Sequence, residues 1–88
     1  MEIEIREEQN ITIVTLKGEL QRQTAPGIQE EILPLVAPDC EIVLDMSNVS
    51  YISSAGLRLL LLIYRQIEDQ NGRIVLTGLQ DMVQDTMS

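Results

Sequence analysis

Ser53 and Ser54 are the residues of this chain best placed to do chemistry. They stand where an apolar strand gives way, across a polar loop, to an apolar helix. The run is Asp45-Met46-Ser47-Asn48-Val49-Ser50-Tyr51-Ile52-Ser53-Ser54-Ala55-Gly56-Leu57, preceded by Ile42, Val43 and Leu44. Hydroxyls at a helix N-terminus lie beside backbone N–H groups that lack intrahelical partners, and the helix dipole there favours negative charge. A phosphate fits such a place. A purely structural reading competes, because serine is a common helix cap and either hydroxyl could satisfy those N–H groups. Gly56 permits close backbone approach, which tight strand–helix packing and access by a modifying enzyme both require.

Helical spacing separates the two serines. At about 100° per residue, with Ser53 as zero, Leu57, Leu60, Tyr64 and Ile67 share its direction, the face expected to pack on the sheet. Ser54 then points to solvent on the side of Arg58, Arg65 and Asp69. Leu62 is expected in the middle of that exposed stripe, flanked by Leu59 and Leu61. Serine, two arginines and leucines on one solvent face read as a docking surface; the other reading is that a further element of the fold covers the leucines. Arg58, one turn past Ser54, can pair with a phosphate there; the other reading is a surface charge that balances acids elsewhere. Asp45 either orients the N–H groups of the loop, repels a phosphate there, or makes an Asx-type turn, and Ser50 is assigned to support of the same loop.

Other chemistries find no residues. The chain has no histidine and one cysteine, Cys40, which removes most zinc sites, Ser–His and Cys–His pairs and any internal disulfide. No metal and no cofactor are expected. A formal net charge of −8 argues against nucleic acid and against anionic membranes as partners. Glu2 and Glu4 interrupt any leader-like opening, and the apolar run Leu59–Ile63 is too short to span a bilayer. These features fit a cytoplasmic setting.

The elements that must position the serines can be read in order. The 88 residues make one small domain with only two aromatic residues, both tyrosine, so Ile, Leu, Val and Met must build its core. Ile3 and Ile5 alternate with charges in an edge strand, and Glu7–Asn10 turns the chain into a second strand from Ile11 to Leu16, forming an antiparallel hairpin. Gly18-Glu19-Leu20 ends it. Thr24 is the expected cap of a short helix with Pro26 in its first turn, Ile28, Ile32 and Leu35 on one face, and Pro34 as its kink or stop. Glu41–Asp45 forms a strand, about Ser54 to Gln70 a helix closed by Asn71-Gly72, and Arg73–Thr77 a last strand. That strand–helix–strand unit predicts parallel pairing. Leu79, Met82 and Val83 begin an amphipathic stretch.

The run Asp45–Gly56 with Leu57 and Arg58, and Leu16-Lys17-Gly18-Glu19-Leu20 upstream, resembles STAS domains, specifically the bacterial anti-sigma factor antagonists. The resemblance covers nearly the whole chain and implies an α/β fold: a mixed four-stranded sheet with helices packed mainly on one face. It implies a single domain over residues 1–88, shortened or truncated at its C-terminus, since members continue through the helix begun at Leu79. It also implies that Ser54, two residues before Gly56, is phosphorylated by an anti-sigma factor that is a serine kinase, and that a PP2C-type phosphatase resets it. The chain departs from the pattern where many relatives carry Asp, at Ser53 and Gln21, which alters the charge around the site and leaves the hydroxyl in place.

Among function classes, an enzyme has no activated nucleophile, metal site or glycine-rich phosphate loop to support it. The leading expectation is a phosphorylation-switched interaction module. Its contacts to the anti-sigma factor kinase would come from Ser53, Ser54, Ala55, Gly56, Arg58, Leu62 and Arg65. The alternative is a non-switching STAS scaffold or nucleotide-sensing module in a signalling or transport complex; whether Ser54 accepts phosphate separates the two.

Overall fold

The computed structural model describes residues 1–78, so the stretch expected from Leu79 onward lies outside the described residues. Two strands, β1 (Glu2–Glu8) and β2 (Ile11–Leu20), open the fold, followed by helix α1 (Ala25–Ile32) and a 3-10 turn over Leu33–Leu35. Strand β3 (Glu41–Ile52), helix α2 (Ser54–Asp69) and strand β4 (Arg73–Thr77) complete it. The sheet order is β1-β2-β3-β4, with β1 antiparallel to β2 and the other neighbours parallel. The mixed four-stranded sheet expected from the sequence is therefore present.

Local chemistry accounts for the connections. Gln9 and Asn10 both take left-handed φ values, 51° and 69°, as the twist-matched two-residue hairpin turn requires. Thr24 occupies the cap position of α1, yet its hydroxyl does not cap the helix. It accepts from the Gln21 N–H at 3.0 Å and donates to the Glu19 carbonyl at 2.8 Å, holding the turn after β2 closed. Pro34 acts as expected: α1 stops at Ile32 and Pro34 lies within the 3-10 turn.

Both crossovers advance the same way across the sheet, β2 to β3 to β4. Right-handed connections then place both helices on one face, and α1 and α2 do pack against each other. The core lies between them and the sheet: Val14, Leu16, Ile42, Leu44 and Met46 from the strands meet Ile28, Ile32, Leu59, Leu60, Ile63 and Ile67 from the helices. The other face carries Ile13, Val43 and Val75 in one cross-strand row.

One expectation about the strands fails. The segment after Asp45 is not a loop, because β3 runs on to Ile52 and β2 runs on past Gly18 to Leu20. Two register shifts, between Thr15 and Lys17 and between Gly18 and Glu19, let β3 use more residues than its partner. Met46, Val49 and Ile52 are consequently buried at a spacing of three, while the polar residues between them are exposed. Bulges replace the period of two with this pattern, which reads in sequence as a polar loop.

Ile63 is fully buried at the centre of the α2 contact. Ile63→Ala is expected to lower the unfolding free energy by about 2–5 kcal/mol, out of roughly 4–13 for a domain of this size. Val75→Thr, on the open face, is expected to stay within about 0.5 kcal/mol of wild type. Urea melts monitored by circular dichroism check both.

Candidate functional site

The site is assembled at the joint between the end of β2 and the start of α2. Ser53 has extended backbone (φ −87°, ψ 174°) and is the N-cap of α2; its Oγ accepts from the Gly56 N–H at 3.2 Å. Its own N–H donates to the Leu20 carbonyl at 2.9 Å, and its carbonyl accepts from the Leu57 N–H at 2.9 Å. Gly56 is buried against the same strand end: a Cβ there would lie 2.6 Å from the Leu20 carbonyl oxygen and 2.8 Å from Leu20 Cγ. The helix entrance is thus seated on Leu20 through the cap and the glycine together.

Ser54 is the first residue of the helix and is exposed. Its hydroxyl makes no hydrogen bond among the described residues, since the capping role is taken by Ser53. The two serines are thus placed differently: one is bonded into the helix end and the other is exposed.

Arg58 and Arg65 are exposed on the side of Ser54, as expected, but the remainder of the helix face is rotated from the expected one. The buried residues are Gly56, Leu59, Leu60, Ile63 and Ile67, a direction about 65° from the one set by Ser53. Ser53 has extended backbone and stands off the helical wheel, so its direction does not mark the packed face. Tyr64, expected on the sheet-facing side, is 47 % exposed, and Leu59, expected on the flank of the exposed stripe, is 5 % exposed. Leu62 is half-buried and packs against the core, so the surface centre expected for it belongs instead to Leu61, 57 % exposed. Ser54, Arg58, Leu61 and Arg65 follow the i, i+4, i+7, i+11 spacing of one face. Leu61 was legible in the sequence, because the 56–59–60–63–67 series defines the buried side without any reference to Ser53.

Asp45 and Ser50 take structural positions. Asp45 makes the Asx-type turn: its Oδ1 accepts from the Ser47 N–H at 3.0 Å and the Ser47 hydroxyl at 2.6 Å. Those two bonds, the hydroxyl's first, hold the carboxyl below its usual range. It pairs with Thr15 while Ile52 pairs with Leu20, so it lies roughly 15–20 Å along the sheet from the helix entrance at 3.3 Å per residue. At that distance it cannot orient the N–H groups beside Ser54. The Ser50 hydroxyl donates to the Gly18 carbonyl at 3.4 Å and ties β3 to β2 beside a bulge. Among the described residues no cluster of His, Cys, Asp and Glu could hold a metal, and no helix is long and apolar enough to cross a membrane.

Comparison with known proteins matches residues 2–88 to the STAS domain. The chain belongs to the STAS domain family. It is 24 % identical over 79 residues to the anti-sigma-B factor antagonist of Bacillus subtilis, covering 90 % of this chain and 72 % of that protein. To a Bordetella bronchiseptica protein assigned as the anti-sigma factor antagonist BtrV it is 34 % identical over 74 residues, covering 83 % of this chain and 64 % of that one. A Thermotoga maritima structure assigned the same role superposes with a TM-score of 0.85 at 17 % identity, over 97 % of this chain and 74 % of that chain. The resemblance read from Asp45–Arg58 and Leu16–Leu20 and the fold expected from it are both borne out.

Ser53→Ala removes the cap and is expected to lower stability by about 0.5–2 kcal/mol. Gly56→Ala forces a methyl against the Leu20 backbone and is expected to cost about 1–3 kcal/mol; denaturant melts rank the two. For Asp45 the sign is that of a depressed carboxyl: its contribution to stability is present above its ordinary value of 3.8 and is lost as pH falls through the lower folded value. An NMR titration should place its midpoint below 3.8, and Ser47→Ala should bring it back up.

Proposed function

We propose that this chain is an anti-sigma factor antagonist whose binding is switched by phosphorylation of Ser54. One observation carries the reading: Ser53 takes the cap, and the neighbouring Ser54 hydroxyl stays exposed and unbonded at the first helical position. A hydroxyl engaged in capping could be phosphorylated only by breaking the helix end; Ser54 can react without that loss. The curated relatives with antagonist names support the assignment, and it goes beyond family membership, since one fold hosts several functions.

In this reading the partner is an anti-sigma factor that is also a serine kinase, and it supplies ATP and Mg²⁺. The Ser54 oxygen forms the new bond to the γ-phosphorus, its proton passes to a base of the kinase, and ADP leaves. A PP2C-type phosphatase reverses the modification by hydrolysis. The domain itself is non-catalytic, acts in the cytoplasm, and affects transcription only through its partner.

The fold can hold the phosphate without rearrangement. Gly56 and Leu57 give their N–H groups to Ser53, whereas those of Ser54 and Ala55 make no hydrogen bond among the described residues and face the modified end. Arg58 lies one turn on and offers a guanidinium to the same phosphate. A partner surface shaped around a neutral hydroxyl would instead have to desolvate about 1.5–2 negative charges.

Ser54→Asp is expected to keep the wild-type melting temperature and to bind the kinase at least about 100-fold more weakly, a change of roughly 2.8 kcal/mol. Ser54→Ala should bind like the unmodified protein and resist release by ATP. Calorimetry of the three proteins against the kinase decides, and equal affinities would defeat the switch.

A further inference from the structure

The chain carries 14 acidic residues against six basic ones, yet no Asp or Glu occurs anywhere from Met46 to Ile67. The charges of that stretch are Arg58 and Arg65, both exposed and both on the stripe that begins at Ser54 and exposes Leu61. Neither makes an ion pair among the described residues. Arg22, also exposed, follows two residues after Leu20, whose carbonyl seats the helix entrance, and adds a third cation at that end. Glu19 is the acid of the same turn. Four exposed glutamates, Glu2, Glu4, Glu7 and Glu8, lie instead on β1, at the edge of the sheet. Glu68 and Asp69 follow Arg65 by three and four residues at the far end of α2, so the cationic part of the face runs from Ser54 to Arg65 around the exposed Leu61.

We propose that this face docks on an acidic protein surface: an apolar slot for Leu61 rimmed by carboxylates that meet Arg58 and Arg65. The inference rests on the antagonist reading and names the chemistry of its partner. Charge complementarity selects a protein over the other anionic candidates. A lipid surface or a nucleic-acid backbone presents charge over a wide area and would face the chain's −8 as well as its arginines. A protein patch matched to the stretch between Ser54 and Arg65 meets the arginines first: screening over about 8 Å at physiological salt hides the glutamates of β1, and the acids within a turn of the stretch, Glu68 and Asp69, lie at its far end.

The same arrangement explains how one phosphate would act so strongly. The stretch Met46–Ile67 carries +2 from its two arginines. A phosphate of about −1.5 to −2 on Ser54 cancels that charge and occupies Arg58. The modification would then remove the attraction and set an anion against the partner's carboxylates in one step.

The test uses the full chain, ¹⁵N-labelled, and two synthetic helical peptides with the same leucine seam, one flanked by glutamates and one by lysines. The glutamate peptide should shift amides between Ser54 and Arg65 and bind about ten-fold tighter than the lysine peptide, the sum of a few exposed charge pairs. About 1 M NaCl should erase the difference, and the Arg58→Glu/Arg65→Glu double variant should reverse it with little change in melting temperature. Equal or tighter binding of the lysine peptide, glutamate-peptide shifts elsewhere on the molecule, or the same shifts produced by phosphatidylglycerol vesicles but not by the peptide would each overturn the proposal. Ser54→Asp in the same titration isolates the switch. If the glutamate preference survives that substitution, the acidic-partner surface stands and the switch reading fails. If wild type shows no preference while its binding to the kinase depends on Ser54, this inference alone fails.

Discussion

The arrangement of the site depends on one close contact, the seat of the α2 entrance on the end of β2. The Leu20 carbonyl accepts the Ser53 N–H at 2.9 Å, and the same oxygen would be 2.6 Å from any Cβ at position 56. A glycine is therefore required by packing, not only by a need for flexibility. Because Ser53 is bound to the strand through its N–H and to the helix through its hydroxyl, its position is fixed from both sides. Ser54 follows by one residue and has nowhere to point but outward.

The bulges in the β2–β3 pair serve that same joint. A regular parallel pair would bring the ends of β2 and β3 level with equal residue counts. Here the pairing from Thr15–Asp45 to Leu20–Ile52 takes two more residues on β3 than on β2. The extra residues let Met46, Val49 and Ile52 all reach the core while the polar residues between them stay in water. Ser50 bonds the Gly18 carbonyl within this irregular stretch and Asp45 closes the Asx-type turn at its start, so both act on the strand that delivers the helix. Their contribution to the site is geometric.

Charge and shape divide the surface differently. Apolar burial decides which way α2 faces, and it leaves Ser54, Arg58, Leu61 and Arg65 outside. Electrostatics then distinguishes this face from the rest of an acidic domain, since the nearest run of acids on the helix, Glu68 and Asp69, lies at its far end. A family match places the fold and the motif. The chemistry this face offers lies in those four side chains.

Much of the architecture was determined by the sequence alone. The hairpin, both helices, the parallel pairing of β3 and β4 and the exposed position of Ser54 follow from local periods, caps and breakers, which act over a few residues. The run Asp45–Arg58, together with Leu16–Leu20, carried the resemblance to the family. Only the tertiary structure decided the rest. The stretch after Asp45 is strand because a bulged register pays out residues at a spacing no single-strand period contains. Thr24 leaves its cap unused because two groups of the preceding turn compete for its hydroxyl. Each of these outcomes depends on an atom from another element, and a one-dimensional pattern does not say which element will arrive.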